Sequence, residues 1–280
     1  MTFDKFKDVI TDKIIEYLPE DYKDAEIDIR TVEKSTHSYN GMTIRKPNEM
    51  IAPTINLDDA YEHFQQYNDL EMVLNDIVDM ATMTLPASVV SLADNISDYK
   101  NVKNKLFVML HEYKGREDYY KTLIHRKIED MVATYQILID ENSAVALTKD
   151  LFESYNVTEE QLYKDAIKNS AKKQPPVVQD LGSMFGNSNV GRVSILSNKS
   201  GVYGASAMLY PEVLDNISAG KPVYVLPSSI HEVLIHHDMS TDVNHLYNVV
   251  KSANETVVSK EEKLSDHVYK YEDGKLSIAV

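Results

Sequence analysis

The sequence predicts an α+β fold with a larger N-terminal part and a smaller C-terminal part. Apolar residues recur at helical spacing in several stretches, the first of which ends at Pro19. Short alternating runs elsewhere are typical of half-buried strands, and the pairs Asn40-Gly41 and Asp273-Gly274 favour hairpins beside them. We therefore expect an N-terminal α/β and helical region, followed by a smaller α+β domain with a mostly antiparallel sheet.

The N-terminal region begins with a helix, for which Thr2 is a suitable N-cap. Ile27 and Ile29 alternate with polar residues and predict a strand, and Asn40-Gly41 predicts a turn before a second strand. This turn stands at the end of an excursion longer than a tight hairpin needs. The strand and helices expected next cover residues 51–57, 58–67 and 69–83.

A mainly helical stretch is expected to follow. Apolar residues at helical spacing predict helices around 102–110 and 123–132, whereas 135–139 and 144–147 are predicted to form strands around a turn. Thr158 and Gln161 match a capping box, so a helix is predicted from there to about Lys172.

Pro175-Pro176 is expected to stop that helix, and the glycine-containing polar residues after it predict a linker or long loop. The expected domains are therefore 1–172 and 193–280, with 173–192 between them. Residues 203–208 are expected to form a return strand or to lead into a helix at 211–217. The C-terminal strands and helix expected in addition cover 193–196, 223–226, 230–235, 241–258, 268–271 and 276–278.

Composition excludes several classes of site. The chain has no cysteine, which removes disulfides, thiol nucleophiles, iron–sulfur clusters and Cys-ligated zinc. It has 44 acidic residues against 29 Lys and Arg, a net charge of −15. This charge repels phosphate backbones, so we expect no direct nucleic-acid binding. Solubility is the simplest reason for this charge. A mimic of nucleic acid, or a surface that meets a basic partner, is the alternative, and the spread of the acidic residues along the chain weakens it without excluding it.

The sequence also lacks motifs for secretion, for membrane insertion and for phosphate-containing cofactors. The N-terminus has charges where a signal peptide needs an apolar core, and the longest apolar runs are too short to span a membrane. We therefore expect a cytoplasmic protein without a membrane partner. The phosphate-binding patterns Gly-x-x-x-x-Gly-Lys-Ser/Thr and Gly-x-Gly-x-x-Gly are both absent from the sequence, so no cofactor is predicted.

The residues most suggestive of a site lie between 193 and 238. Ser228 or Ser229 with His231 and Glu232 could form a hydrolase site, although a complete Gly-x-Ser-x-Gly elbow is missing. The zinc-protease motif needs a second histidine four residues after His231, whereas the next histidine stands five residues after it. A metal site using His236, His237 and Asp238 would need further ligands from elsewhere, so no metal site is predicted. The candidates for a binding role are Asn198, Tyr203 and Ser206.

Three stretches of the chain resemble an uncharacterised bacterial family that is common among gut Firmicutes and has no assigned function. They are Asn40-Gly41-Met42-Thr43-Ile44-Arg45, Tyr203-Gly204-Ala205-Ser206 with Leu226-Pro227-Ser228-Ser229-Ile230-His231-Glu232-Val233, and Leu264-Ser265-Asp266-His267-Val268-Tyr269. The resemblance implies a bacterial or phage-encoded cytosolic protein. It implies no activity, cofactor or catalytic residue.

Three functional hypotheses follow from these observations. The leading one is a non-catalytic acidic protein that acts through protein–protein binding, as an inhibitor or accessory factor of a phage or mobile element. The alternative is a hydrolase that uses Ser228 or Ser229, His231 and Glu232. The third is a structural module in which the Pro-Ser-Ser-Ile-His-Glu segment is a bend in the core.

Overall fold

The computed structural model describes residues 1–34, 37–47, 49, 51–139, 143–184 and 193–280. Helices and antiparallel sheets together give the α+β fold that the sequence predicts. The chain forms two compact units, Met1–Ile96 and Ser97–Val280. We call them unit 1 and unit 2.

Unit 1 combines helices with a three-stranded antiparallel sheet of order β1-β2-β3. Its core is formed by apolar side chains of α1, α3 and the sheet, including Phe6, Ile10, Met42 and Ile77, all of which are fully buried. The elements are α1 (Phe3–Tyr17), a 3₁₀ turn (Glu20–Tyr22), β1 (Glu26–Glu33), β2 (Ser38–Arg45), β3 (Thr54–Asn56), α2 (Leu57–Tyr67), α3 (Leu70–Thr82) and α4 (Ala87–Asn95).

Local sequence signals predicted the start of α1 correctly but misplaced the turn of the first hairpin. Thr2 caps α1 by accepting a hydrogen bond from the Lys5 N–H, as predicted. Asn40-Gly41, in contrast, lies inside β2 and not at a turn, so this prediction was wrong. Asn40 instead donates from its backbone N–H and its side-chain amide to Asp58, and this anchors the strand to α2.

Unit 2 contains two sheets. The elements are α5 (Tyr99–Val102), a 3₁₀ turn (Lys103–Lys105), β4 (Leu106–Glu112), α6 (Glu117–Lys121), β5 (His125–Ile128), β6 (Met131–Leu138), β7 (Ala144–Ala146), α7 (Lys149–Ser154), α8 (Glu159–Lys173), β8 (Pro176–Asp180), α9 (Leu181–Met184), β9 (Val193–Asn198), a 3₁₀ helix (Gly204–Leu209), α10 (Val213–Ser218), β10 (Val223–Leu226), β11 (Val233–His236), α11 (Val243–Thr256), β12 (Tyr269–Glu272) and β13 (Lys275–Ile278).

Both sheets of unit 2 are antiparallel. The six-stranded sheet has the order β13-β12-β10-β11-β9-β8. In the four-stranded sheet, β6 pairs with β4 along one side and with β5 and β7 along the other. The predicted hairpin at Asp273-Gly274 joins β12 to β13, and both of its residues have the positive φ that this turn requires.

Two predicted helices in unit 2 were wrong. Residues 106–112 form β4, and most of 123–132 belongs to β5, to the turn after it and to the start of β6. Every residue from Met131 to Ile137 is buried, because β6 lies between other strands. A continuous apolar run of this kind satisfies helical spacing as well as strand spacing, so periodicity could not separate the two.

The division into units differs from the predicted domain boundary. Residues 173–192 were expected to form a linker, yet this range contains β8 and α9, while 185–192 lie outside the described residues. β8 pairs with β9, so part of the expected linker belongs to the same sheet as the C-terminal strands. Pro176 is tolerated at the first position of β8 because this strand lies at the edge of the sheet.

Two serine hydroxyls accept hydrogen bonds from backbone N–H groups on the outer edge of β4. The Val108 N–H donates to Ser170 Oγ of α8 and the Leu110 N–H donates to Ser206 Oγ of the 3₁₀ helix, both at 3.0 Å. These amides point away from β6, since alternate N–H groups of an edge strand face outward. The serines therefore satisfy backbone groups that would otherwise be buried without a partner.

We predict that Ser206→Ala lowers the free energy of unfolding by about 1–3 kcal/mol, because the buried Leu110 N–H loses its acceptor. Urea denaturation measures the change. Ser252→Ala on the exposed side of α11 is the control and should change stability by no more than about 0.5 kcal/mol. Equal stability of the two variants would contradict the role of the hydroxyl.

An ion-pair network fixes the start of α8 to the β5–β6 hairpin. Thr158 caps the helix through the Gln161 N–H, as predicted, while the Gln161 side chain turns to Asp165. Arg126 donates two hydrogen bonds to Glu159, which also accepts one from Tyr135. Partial burial opposes ionisation of Glu159, but these donors hold its pKa below the ordinary value.

A group with a depressed pKa stabilises the fold above its unfolded-state pKa, and this contribution is lost as the pH falls through the folded-state pKa. We therefore expect Glu159→Gln to cost about 1 kcal/mol at pH 7, allowing for solvent screening, and progressively less below the ordinary glutamate pKa of 4.5. Urea titrations between pH 7 and pH 3 measure the difference. Exposed Glu153→Gln is the control, and a cost for Glu159→Gln that does not change with pH would contradict this account.

Candidate functional site

Asn198 organises the turn after β9. Its side-chain oxygen accepts a hydrogen bond from the Gly201 N–H, and its amide donates to the Val202 carbonyl at 2.9 Å. The side chain is buried and all of these partners belong to its own turn. Asn198 was predicted to bind a ligand, and the structure uses its hydrogen bonds to shape the loop that leads to Tyr203.

Tyr203 stands at the start of the 3₁₀ helix with a left-handed backbone (φ 52°). Its ring lies between two histidine rings, with centroids 6.2 Å from His111 and 5.9 Å from His231. Burial lowers the pKa of His111 to about 4, so this imidazole is neutral at physiological pH. The predicted binding residue therefore belongs to a cluster of aromatic rings, T-shaped with His111 and tilted against His231.

Gly204 lies so close to other backbone segments that no larger residue fits. A Cβ atom built on Gly204 would lie 2.7 Å from the Asn198 nitrogen and closer still to the His231 carbonyl oxygen. The next residue reinforces this contact, since the Ala205 N–H donates to the Ile230 carbonyl. Glycine is required here by the approach of backbone atoms, which cannot move aside as a side chain can.

The hydrolase candidates are not assembled into a reactive set. The Ser229 hydroxyl accepts from the His231 N–H, and the Ser228 carbonyl accepts from the Leu264 N–H. Glu232 is exposed, and the carboxylate next to the His231 ring is that of Glu262. Ser206 is buried and occupied with the edge of β4. The described hydrogen bonds therefore bring Ser229 and His231 together through backbone, without a hydroxyl on the imidazole.

The His231 ring has a defined tautomer. Its Nδ1 accepts from the Tyr203 N–H, so the proton of the neutral ring resides on Nε2, which lies 3.3 Å from Glu262 Oε1. A general base would need one of these nitrogens to face a substrate. His231 instead joins the 3₁₀ helix to the segment before β12.

A cavity of about 400 Å³ lies beside the Asn198–Tyr203 turn. Its apolar wall includes Phe107, Met109 and Leu138, and its polar lining includes Lys173 and Tyr210. Asn198 and Tyr203 also line it, so two of the three predicted binding residues border one concave space. Pockets of about 300–1,000 Å³ with apolar walls and few polar groups are typical of small-molecule sites.

Two polar groups of this cavity lack partners among the described residues. The Tyr210 hydroxyl makes no hydrogen bond there, and burial raises the pKa of Tyr210 to about 12, so the hydroxyl keeps its proton. Lys173 forms no ion pair within the described ranges. Burial, together with the charges of Lys105 and Lys172, lowers its pKa. A solvent-exposed lysine without an ion pair among the described residues and a hydroxyl donor therefore border the cavity.

A second polar cluster escaped the sequence analysis. Asp130, at the turn between β5 and β6, accepts hydrogen bonds from Ser265, His267 and Tyr269. An Asp–His pair can orient an imidazole for catalysis, but Ser265 donates to the carboxylate and not to the imidazole. Ser265 and His267 stood in a motif singled out above, whereas nothing in the sequence could connect them with Asp130.

Two further histidines each contact a hydroxyl. His236 lies 2.7 Å from the Thr241 hydroxyl, and His237 lies 3.0 Å from the Ser194 hydroxyl. Over the described residues, no three His, Asp or Glu side chains converge in a geometry that could hold a metal ion. In the same part of the chain, every helix is too short or too polar to cross a membrane.

The chain belongs to a family of unknown function (DUF5688), whose profile matches residues 3–273. The expected membership of an uncharacterised family is thus confirmed, and the family supplies no activity. Neither a curated protein nor a solved structure matches the chain.

We predict that Gly204→Ala lowers the free energy of unfolding by about 3 kcal/mol, because the added Cβ would collide with the backbone nitrogen of Asn198 and the carbonyl oxygen of His231. Gly201→Ala is the control in the same turn. It has space around it but a positive φ, so it should cost only about 1–2 kcal/mol. Thermal and urea denaturation compare them, and a smaller cost at 204 than at 201 would contradict the close approach.

Proposed function

We propose that the protein is a non-catalytic, cytoplasmic binding protein that acts through a protein partner with a basic face. The observation that carries this proposal is the uneven division of charge between the two units. Unit 1 has 19 Asp and Glu against 8 Lys and Arg, which accounts for −11 of the net charge of −15. Unit 2 has 25 against 21, a net charge of only −4.

Helix α1 presents a row of carboxylates to solvent, although Lys5, Lys7 and Lys13 reduce the net charge of the helix to −1. Asp4, Asp8, Asp12 and Glu16 recur at intervals of four and are all exposed. Like charges at this spacing destabilise a helix by about 0.2–0.5 kcal/mol per pair. The ion pair of Lys7 with Asp4 offsets part of this repulsion, and the remaining row of carboxylates favours a role in attracting a cationic partner.

The same field argues against nucleic acid as a direct partner, because phosphates carry the same sign as unit 1. The hydrolase alternative has less support. Ser229 and His231 make their hydrogen bonds to backbone or to Glu262, and Glu232 is exposed away from them. A basic partner is typical of proteins that handle nucleic acid, which suits an inhibitor or accessory factor encoded by a phage or mobile element.

The test neutralises the α1 stripe without changing its shape. The variant Asp8→Asn/Asp12→Asn/Glu16→Gln is compared with Glu153→Gln/Glu255→Gln/Glu261→Gln, which removes three exposed carboxylates from unit 2. Tagged full-length proteins are used to capture partners from a bacterial lysate, and the affinity of any purified partner is measured at two salt concentrations.

We expect a partner with a basic face whose affinity falls about tenfold in the α1 variant and changes little in the control. Wild-type binding should also weaken as salt rises. Repeated failure to recover a partner, or equal loss in both variants, would refute the proposal and leave solubility as the reason for the charge.

A further inference from the structure

We propose that the cavity beside the Asn198–Tyr203 turn binds a small carboxylate with an apolar body. This inference does not depend on the proposed protein partner. It rests on an apolar wall, on Lys173, which has no ion pair among the described residues, and on the hydroxyl of Tyr210, all of which line one concave space.

The wall of the cavity determines the body of the ligand. Phe107 and Met109 lie on the face of β4 that is only half-buried, whereas Leu106, Val108 and Leu110 alternate with them and are buried. Leu138 comes from the end of β6. An apolar molecule in this space would remove apolar surface from water at about 25 cal/mol per Å².

The lysines determine the charge of the ligand. Burial lowers the pKa of Lys173, and the nearby charges of Lys105 and Lys172 lower it further. No carboxylate among the described residues pairs with any of these three lysines. Lysines are expected at the last turn of a helix, where the dipole favours them, and this explains Lys172 and Lys173 of α8. It does not explain Lys105, which comes from the turn before β4.

The hydrogen-bond donors that line the cavity favour an anionic ligand. The Tyr210 hydroxyl keeps its proton and has no acceptor among the described residues. Gln174 accepts from Ser200 with its oxygen, which leaves its amide group as a donor at the same cavity. A carboxylate would supply acceptors for these groups and a counter-charge for Lys173.

A carboxylate fits better than a phosphate. Phosphate sites are commonly built from arginine forks or from free N–H groups at a helix start. The described lining contains no arginine. The 3₁₀ helix beside the cavity has already used the N–H groups of Tyr203, Ala205 and Ser206 on protein acceptors.

Isothermal titration calorimetry of the full chain tests the site, with decanoate as the probe. Decanol is the matched uncharged probe, and decyl phosphate tests the alternative anion. All three are used below the concentrations at which they form micelles. The protein variants are Lys173→Ala, which removes the cation, Tyr210→Phe, which removes only the hydroxyl, and Ala144→Trp, which fills the cavity from β7. Exposed Lys251→Ala on α11 is the control for the loss of one lysine.

We expect saturable decanoate binding to the wild-type protein and to the Lys251→Ala control. Lys173→Ala should weaken it about tenfold, Tyr210→Phe several-fold, and Ala144→Trp should abolish it. Decanol should bind at least tenfold more weakly than decanoate and should not respond to Lys173→Ala. Circular dichroism establishes that each variant is folded.

Four results would overturn the inference. They are the absence of saturable decanoate binding, equal decanoate affinity of Lys173→Ala and wild type, decanol binding as tight as decanoate binding, and decyl phosphate binding tighter than decanoate. Because none of these measurements involves a protein partner, they leave the proposed function untouched.

Discussion

The close backbone contact at Gly204 is the constraint on which the architecture of unit 2 depends. It allows the 3₁₀ helix Gly204–Leu209 to lie directly against the segments that flank β9 and β11. Two residues later, Ser206 accepts from the β4 backbone of the other sheet. One short helix thereby joins the six-stranded and four-stranded sheets. Asp130 with its donors Ser265, His267 and Tyr269, and the ion pair of Lys263 with Glu112, connect the same two sheets at other points.

This arrangement explains why a segment rich in serine, histidine and carboxylate shows no reactive geometry. Where two sheets meet, strand edges and bends leave backbone N–H and C=O groups that water cannot reach. Each such group needs a polar side chain, because an unsatisfied buried donor or acceptor costs about 1–3 kcal/mol. Ser229 and His231 accept from backbone amides, and Ser197 donates to a backbone carbonyl. Side chains that resemble catalytic groups in the sequence thus serve as local backbone partners.

Prediction from sequence succeeded where local physics decides the structure. The cap at Thr2, the cap at Thr158 and the hairpin at Asp273-Gly274 involve contacts within a few residues, and all three were predicted correctly. The segments that form β4, β5 and the start of β6 were predicted as helices, because the apolar character of β4 and β6 reflects burial between neighbours far away in sequence. Asn40-Gly41 misled for a related reason, since Asn40 is held in β2 by Asp58 of a later helix.

For the candidate sites, too, the sequence could indicate only residues that depend on their immediate neighbours. Asn198 and Tyr203 were found because a turn composition is visible in the sequence, but Lys173 and Tyr210 have no local signature that relates them to it. Asp130 is separated from His267 by more than half of unit 2. Only the folded chain brings these groups together.

The uneven division of net charge between the two units also affects whether this acidic protein can bind an anion. Electrostatic repulsion between solvent-exposed charges is screened beyond about 8–10 Å at physiological salt, so a bound anion responds mainly to its nearest charges. Around Lys173 these are Lys105 and Lys172, in a unit whose net charge is only −4. The net charge differs between the units mainly because unit 2 has 21 Lys and Arg against 8 in unit 1. A site for a negatively charged ligand in unit 2 and a surface for a basic partner on unit 1 are therefore compatible proposals.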